Sequence, residues 1–200
     1  MPYEYRKLSP KEREEIVELR KQKGYPLHAP PHPFREEGTY LITAANFEHR
    51  EVMTSPERRT SFQEILLDGF HEINAEIIGW VILPNHYHII ATVETLNEVS
   101  NIVQLIHGRT SREWNLQDGL TGNRKVWYRF SDRVMRNEIQ LGQAFNYIHY
   151  NPVKHGYVKD VHDWRWSSLF LYEDDKGGEW LTEQWRKFPP PADFGKGWDD

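Results

Sequence analysis

The chain has 200 residues, with 25 Lys and Arg against 30 Asp and Glu, a formal charge of −5 and no cysteine. That length can bury a sizeable core unaided, and the missing cysteines exclude a disulfide scaffold, a thiolate zinc site and a cysteine nucleophile. The longest largely apolar run, Ile77 to Leu83, has seven residues where a membrane helix needs about 18, and the start leads into no apolar stretch, so a soluble cytoplasmic protein is expected, with no membrane partner.

Ser9, Pro10 and Glu12 carry the signature of a capped helix start, and Gly24 marks its stop. Residues 26–33, rich in proline, read as an extended connector. Residues 1–33 are therefore set apart from a domain expected over 34–172. Thr39 to Ala45 reads as a strand. Pro56 opens a helix to about Asn74, its apolar stripe made by Phe62, Ile65, Leu66, Phe70 and Ile73. Glu76 to Leu83 and His86 to Val93 read as paired strands across Pro84 and Asn85. Val99, Ile102, Val103, Leu105 and Ile106 mark a helix ending near Leu116. Lys125 to about Val134 is a further strand, and Glu138 to Tyr150 a helix closed by Asn151-Pro152, because the residue before proline disfavours the helical conformation. The order β, α, β, β, α, β, α predicts an α+β fold, an antiparallel sheet with helices on one face. Residues 173–200, acidic and holding three consecutive prolines, read as an irregular tail.

Charge is sorted along this chain. Residues 101–172 hold ten basic and six acidic groups, whereas 173–200 hold four and eight. The densest basic part, Arg124 to Arg136, is interleaved with Trp127, Tyr128 and Phe130, the combination that a single-stranded nucleic acid surface requires. Arg109, Arg112, Arg129, Arg133, Arg136 and Lys154 are the candidate DNA-binding residues, each with a solvated charged face as its plainer role. Trp164 and Trp166 read as packing residues. An acidic tail beside a basic region suggests that residues 173–200 shield the DNA groove.

His86 and His88 lie two apart on a strand, so both imidazoles leave the same face. Two neutral imidazoles can hold one divalent metal with positions left open; they can equally be ordinary hydrogen-bonded strand histidines. Tyr147 and Asn151, four apart on a helix, project together. They can serve as nucleophile and metal or phosphate ligand, or as packing residue and helix cap. No phosphate-binding Gly-rich loop and no Gly-x-Ser-x-Gly elbow is present.

Leu83-Pro-Asn-His-Tyr-His-Ile-Ile90, followed by Tyr147-Ile-His-Tyr-Asn-Pro-Val-Lys-His155, resembles the single-tyrosine HUH transposases, and within them the REP-associated tyrosine transposases. Arg129-Phe-Ser-Asp-Arg133 and Trp164-Arg-Trp-Ser-Ser168 extend the likeness, which covers about residues 34–172. The resemblance implies a ferredoxin-like HUH nuclease fold, Mg²⁺ or Mn²⁺ on His86 and His88, Asn151 as third ligand, and Tyr147 attacking DNA to give a 5′-phosphotyrosine. It departs from the usual pattern at Tyr87, where an aliphatic residue is common. The substrate it implies is single-stranded or hairpin DNA of repetitive extragenic palindromes, placing the protein at the nucleoid as monomer or homodimer. A non-catalytic nucleic-acid-binding protein of the same fold, and a metal-dependent hydrolase of small phosphoesters, are the competing expectations.

Overall fold

The structure is a computed structural model that describes residues 37–120 and 124–195, with residues 9, 11, 12 and 15 before them. The chain divides into two units, Met1–Arg35 and Glu36–Asp200. In the first unit the capping box is formed: Glu12 N–H donates to Ser9 Oγ at 3.3 Å, and Ser9 N–H donates to Glu12 Oε2 at 2.7 Å. The Gly24 stop and the 26–33 connector lie outside the described residues.

In the second unit, β1 (Gly38–Ala45), β2 (Glu76–Ile82), β3 (His86–Val93) and β4 (Ser131–Val134) form one sheet in the order β2-β3-β1-β4. All three pairings are antiparallel. Helix α1 (Pro56–Glu72) is capped by Ser55, whose Oγ accepts from Arg58 N–H at 3.1 Å, and has proline at its start. Helix α2 (Leu96–Gln117) is capped in the same way by Thr95. Then come α3 (Glu138–Lys154), α4 (Leu169–Lys176) and α5 (Gly178–Lys187). The fold class is the expected α+β antiparallel sheet with helices.

Side-chain alternation decides which face each helix covers. Tyr87 points to α1 and α2: its ring lies 5.2 Å from Phe62, and its hydroxyl is 3.1 Å from His107 Nε2. His86 and His88 point the opposite way, onto α3. Helices are expected on one face only; α1 and α2 cover that face, while the helix bearing Tyr147 covers the other, with α4 and α5 packed against it.

Three local expectations change. The strand expected from Lys125 is four residues long, Ser131–Val134. Residues before it instead cross the sheet end, with Trp127 bridged to Asn46, and Trp127 enters the core. There it stacks on His107 at 4.4 Å and donates Nε1–H to Thr110 Oγ1, so it is no DNA-stacking ring. Leu105, counted in the α2 stripe, faces outward and is 65% exposed. Finally, residues 173–176 and 178–187 are helical, ending α4 and forming α5 on either side of Gly177. Trp180 stacks on Tyr172 and Leu181 is buried, while Asn146 of α3 donates to the carbonyls of Gln184 and Phe188. Apolar residues spaced for one helical face outweighed the charge that marked this segment as irregular.

Trp164 and Trp166 are buried packing residues, as expected. Arg59 holds them to α1: its guanidinium lies 3.9 Å from the Trp166 ring centre and donates to the carbonyls of Met53 and Thr54.

Candidate active site

The sheet register brings Thr43 of β1 and Val81 of β2 beside His88. His88 Nδ1 lies 2.7 Å from Thr43 Oγ1, so its Nε2 is turned away from the sheet toward α3. Asn85 does the same for His86. Asn85 Nδ2 donates to His49 O at 3.3 Å, which fixes the orientation of the amide and presents Oδ1 to His86 Nδ1 at 2.7 Å. Both histidines are fully buried. Burial first, then the neighbouring His88 and His155, holds the His86 imidazole well below the ordinary histidine range, so it is neutral near pH 7.

A neutral His86 that donates from Nδ1 keeps a lone pair on Nε2. That lone pair faces Asn151 Oδ1, another acceptor, at 3.1 Å. Two acceptors so placed suit a cation shared between them, and burial disfavours a proton there. Neighbouring ligands of an octahedral ion with bonds of about 2.1 Å lie about 3 Å apart, so the spacing suits a small divalent cation. The Asn151 amide also reaches to 3.4 Å from His88 Nε2. Among the described residues no group of three or more His, Cys, Asp or Glu is placed to hold a metal; the donor set here is two imidazoles and a carboxamide.

Helix α3 does not end at Asn151. It continues through Pro152, in its last turn, to Lys154. Proline there removes one helical hydrogen bond, and the turn is closed by His155 and Gly156 N–H donating to Asn151 and Val153 carbonyls. Two consequences follow for the site. Asn151 lies one turn beyond Tyr147, on the face that covers the two histidines, and is fully buried. Lys154 lies seven residues beyond Tyr147, nearly two full turns, on that same face. Helical side chains lean toward the N-terminus, and Lys154 Nζ donates to the Tyr147 hydroxyl at 3.1 Å while sitting 4.8 Å from the ring centre.

The Tyr147 ring contacts His88 edge-on, with centres 5.6 Å apart. Its other side is covered by the C-terminal segment. Phe194 lies 4.9 Å from the Tyr147 ring, and Gly195, at φ +88°, passes so close that a Cβ there would collide with the hydroxyl. Tyr147 is 4% exposed as a result.

His86, His88, Tyr147 and Asn151 are therefore brought together. Arg133 joins their sheet face, paired opposite Leu41 on β4, at the exposed edge. Arg129 and Arg136 are exposed just outside that strand. Arg109 and Arg112 lie apart, on the outer side of α2 with Gln104 and Leu105, across the sheet from the histidines. Thr43, Asn85, His155 and Phe194 were not singled out from the sequence. Asn85 adjoins His86 in the motif and could have been found by that adjacency. Thr43 enters only through strand register, and His155, 5.0 Å ring to ring from His86, through the added helical turn.

A family model for IS200-like transposases matches residues 39–149, a span that contains both histidines and the tyrosine. The chain belongs to the IS200-like transposase family. Within that family, a REP-associated tyrosine transposase of Escherichia coli (strain K12) is 34% identical over 150 residues, covering 71% of this chain and 86% of the relative. A solved structure of a REP-associated tyrosine transposase bound to a REP hairpin matches with a TM-score of 0.58 and 25% identity, covering 74% of this chain and 87% of that one. For this transposase-family chain, no helix among the described residues is long and apolar enough to cross a membrane.

Proposed function

We propose that this chain is a metal-dependent single-strand DNA endonuclease and strand transferase that acts beside hairpin-forming repeats through a 5′-phosphotyrosine. The observation that carries it is the packing of Tyr147 against His88 with two acceptors, His86 Nε2 and Asn151 Oδ1, converging at 3.1 Å beside it. His86, His88 and Asn151 would hold Mg²⁺ or Mn²⁺, which supplies Lewis-acid polarisation of a non-bridging phosphate oxygen.

In the forward step the Tyr147 oxygen forms a bond to phosphorus and the bond from phosphorus to the 3′-oxygen breaks. The phenol loses its proton and the leaving oxygen gains one as a 3′-hydroxyl. No water is consumed, and the phosphodiester energy is kept in the protein–DNA bond. Attack by a 3′-hydroxyl reverses the sequence and rejoins strands. The bound state of the related REP transposase supports a hairpin as the DNA form recognised, and Arg133, on the site's own face, is the cation best placed to meet a flanking phosphate.

The test uses hairpin-forming repeat oligonucleotides from the host genome, labelled at the 3′ end because that end travels with the tyrosine. A denaturation-resistant adduct formed with Mn²⁺, absent in EDTA and absent in Tyr147→Phe, is expected. An adduct that persists in Tyr147→Phe refutes the nucleophile. Tight hairpin binding with no adduct from any oligonucleotide would make the chain a binding protein of this fold, and small-phosphoester turnover without an adduct would make it a hydrolase.

A further inference from the structure

We infer that Lys154 is a catalytic residue of the strand-transfer site, a fixed cation that orients the tyrosine oxygen and carries the charge that develops on it, rather than a contact to the DNA backbone. This rests on the tyrosine mechanism proposed above and names a second protein group at the reacting atom.

Basic residues on a DNA-binding protein ordinarily extend to solvent, where they reach phosphates. Lys154 is exposed along its length, yet its side chain turns back along its own helix instead of reaching outward. Its ammonium lies 3.1 Å from the Tyr147 oxygen, as a hydrogen-bond donor, and 4.8 Å from the ring centre. That position depends on α3 running through Pro152. Were the helix to stop at Asn151, nothing would hold position 154 two turns from the tyrosine. The retained proline costs a helical hydrogen bond, and the added turn is what delivers the ammonium.

The chemistry at that oxygen needs such a group in both directions. During attack the phenol must release its proton before or as the bond to phosphorus forms, and a donor at 3.1 Å stabilises the phenolate and aims its remaining lone pairs. During rejoining, the 3′-hydroxyl forms its bond to phosphorus, the bond to the tyrosine oxygen breaks, and the departing phenolate is stabilised by the same ammonium until it is reprotonated. The groups that would hold the metal are less direct, because an ion there would serve the phosphate oxygens and His88 meets the tyrosine ring by its edge. A preorganised charge at the atom where charge develops lowers the barrier without reorganisation.

Lys154→Met and Lys154→Gln keep a long, helix-compatible side chain, the second with a neutral donor; Lys154→Arg keeps the charge. With the 3′-labelled hairpin oligonucleotide in Mn²⁺, single-turnover adduct formation and its reversal by added 3′-hydroxyl strand are timed, and hairpin affinity is measured across salt concentrations. Both rates should fall roughly 10- to 100-fold in Lys154→Met and Lys154→Gln. Lys154→Arg should recover most of the loss, and affinity and its salt dependence should match the unaltered protein. Unchanged rates in Lys154→Gln, or weaker binding with a shallower salt slope in Lys154→Met, overturn the inference and return Lys154 to the DNA backbone. If the unaltered protein forms no adduct, the tyrosine mechanism itself has failed, a result distinct from either.

Discussion

Thr43→Val separates the support of the proposed metal ligand His88 from the fold. Thr43 is buried on β1 and its Oγ1 lies 2.7 Å from His88 Nδ1. Valine keeps the branched shape and suits a strand, so the loss of unfolding free energy in the absence of metal should be limited to about 1–3 kcal/mol, the cost of leaving the buried His88 Nδ1 without its partner. The cation-bound state is affected more strongly, because Nε2 must then be the ligand and Nδ1 must carry the proton that Thr43 accepts. A hydrogen bond to a group bearing charge contributes roughly 1.5–3 kcal/mol, which matches the 10- to 100-fold loss typical when such a supporting partner is removed. Two readouts check this. Half-saturating Mn²⁺ for adduct formation should rise by about that factor, with the saturated rate recovered. In thermal unfolding at Mn²⁺ set to about 100 times the original Kd, stabilisation by the ion should drop from about 2.7 kcal/mol to about 0.9 kcal/mol for a 30-fold loss. The same half-saturation in Thr43→Val, under conditions where His88→Ala abolishes the response, would refute the assignment of Nε2 as ligand.

Further outcomes can be checked with the same protein. Phe194→Ala, which uncovers one side of Tyr147, and Gly195→Ala, whose new Cβ collides with the hydroxyl, should each speed single-turnover adduct formation; unchanged rates in both would show that this segment does not limit access. Arg59→Leu should lower unfolding free energy by about 2–4 kcal/mol in urea titration, since two carbonyls and two indole rings lose their shared partner. His107 and His149, each pushed by burial down to about 3, bind protons only on unfolding between that value and about 6.5. Stability should therefore hold above pH 6.5 and fall below it, by about 2 kcal/mol per histidine at pH 5. His107→Phe should flatten the slope by one proton, read from urea midpoints at pH 7 and 5. Arg133→Gln should weaken hairpin binding and reduce the salt slope by about one, read from affinities across salt concentrations.

The sheet, its two capped helices and the four residues of the site were legible in the sequence for a local reason. Period-two alternation over 86–93 and the four-residue spacing of Tyr147 and Asn151 are properties of short segments. The proline that opens α1 is a local signal too. The same local rules misled at Pro152 and after residue 173. A proline argues for a helix end and acidic residues argue for a solvated tail, whereas buried contacts of Asn151 and Leu181 with the rest of the fold prevail over both.

What the sequence determined by itself was which residue types are available and on which side of a strand or helix each one points. What only the tertiary structure decided was which of those sides meet. β1 pairing sets Thr43 under His88, a loop turn sets Asn85 against His86, and the full length of α3 sets Lys154 on the tyrosine oxygen. Those meetings are set by strand register and by helix placement across the sheet, both fixed by burial of the whole core. The basic residues divide on the same principle. Arg109, Arg112 and Arg133 look equivalent along the chain, and the sheet leaves one of them on the site's face and two behind it.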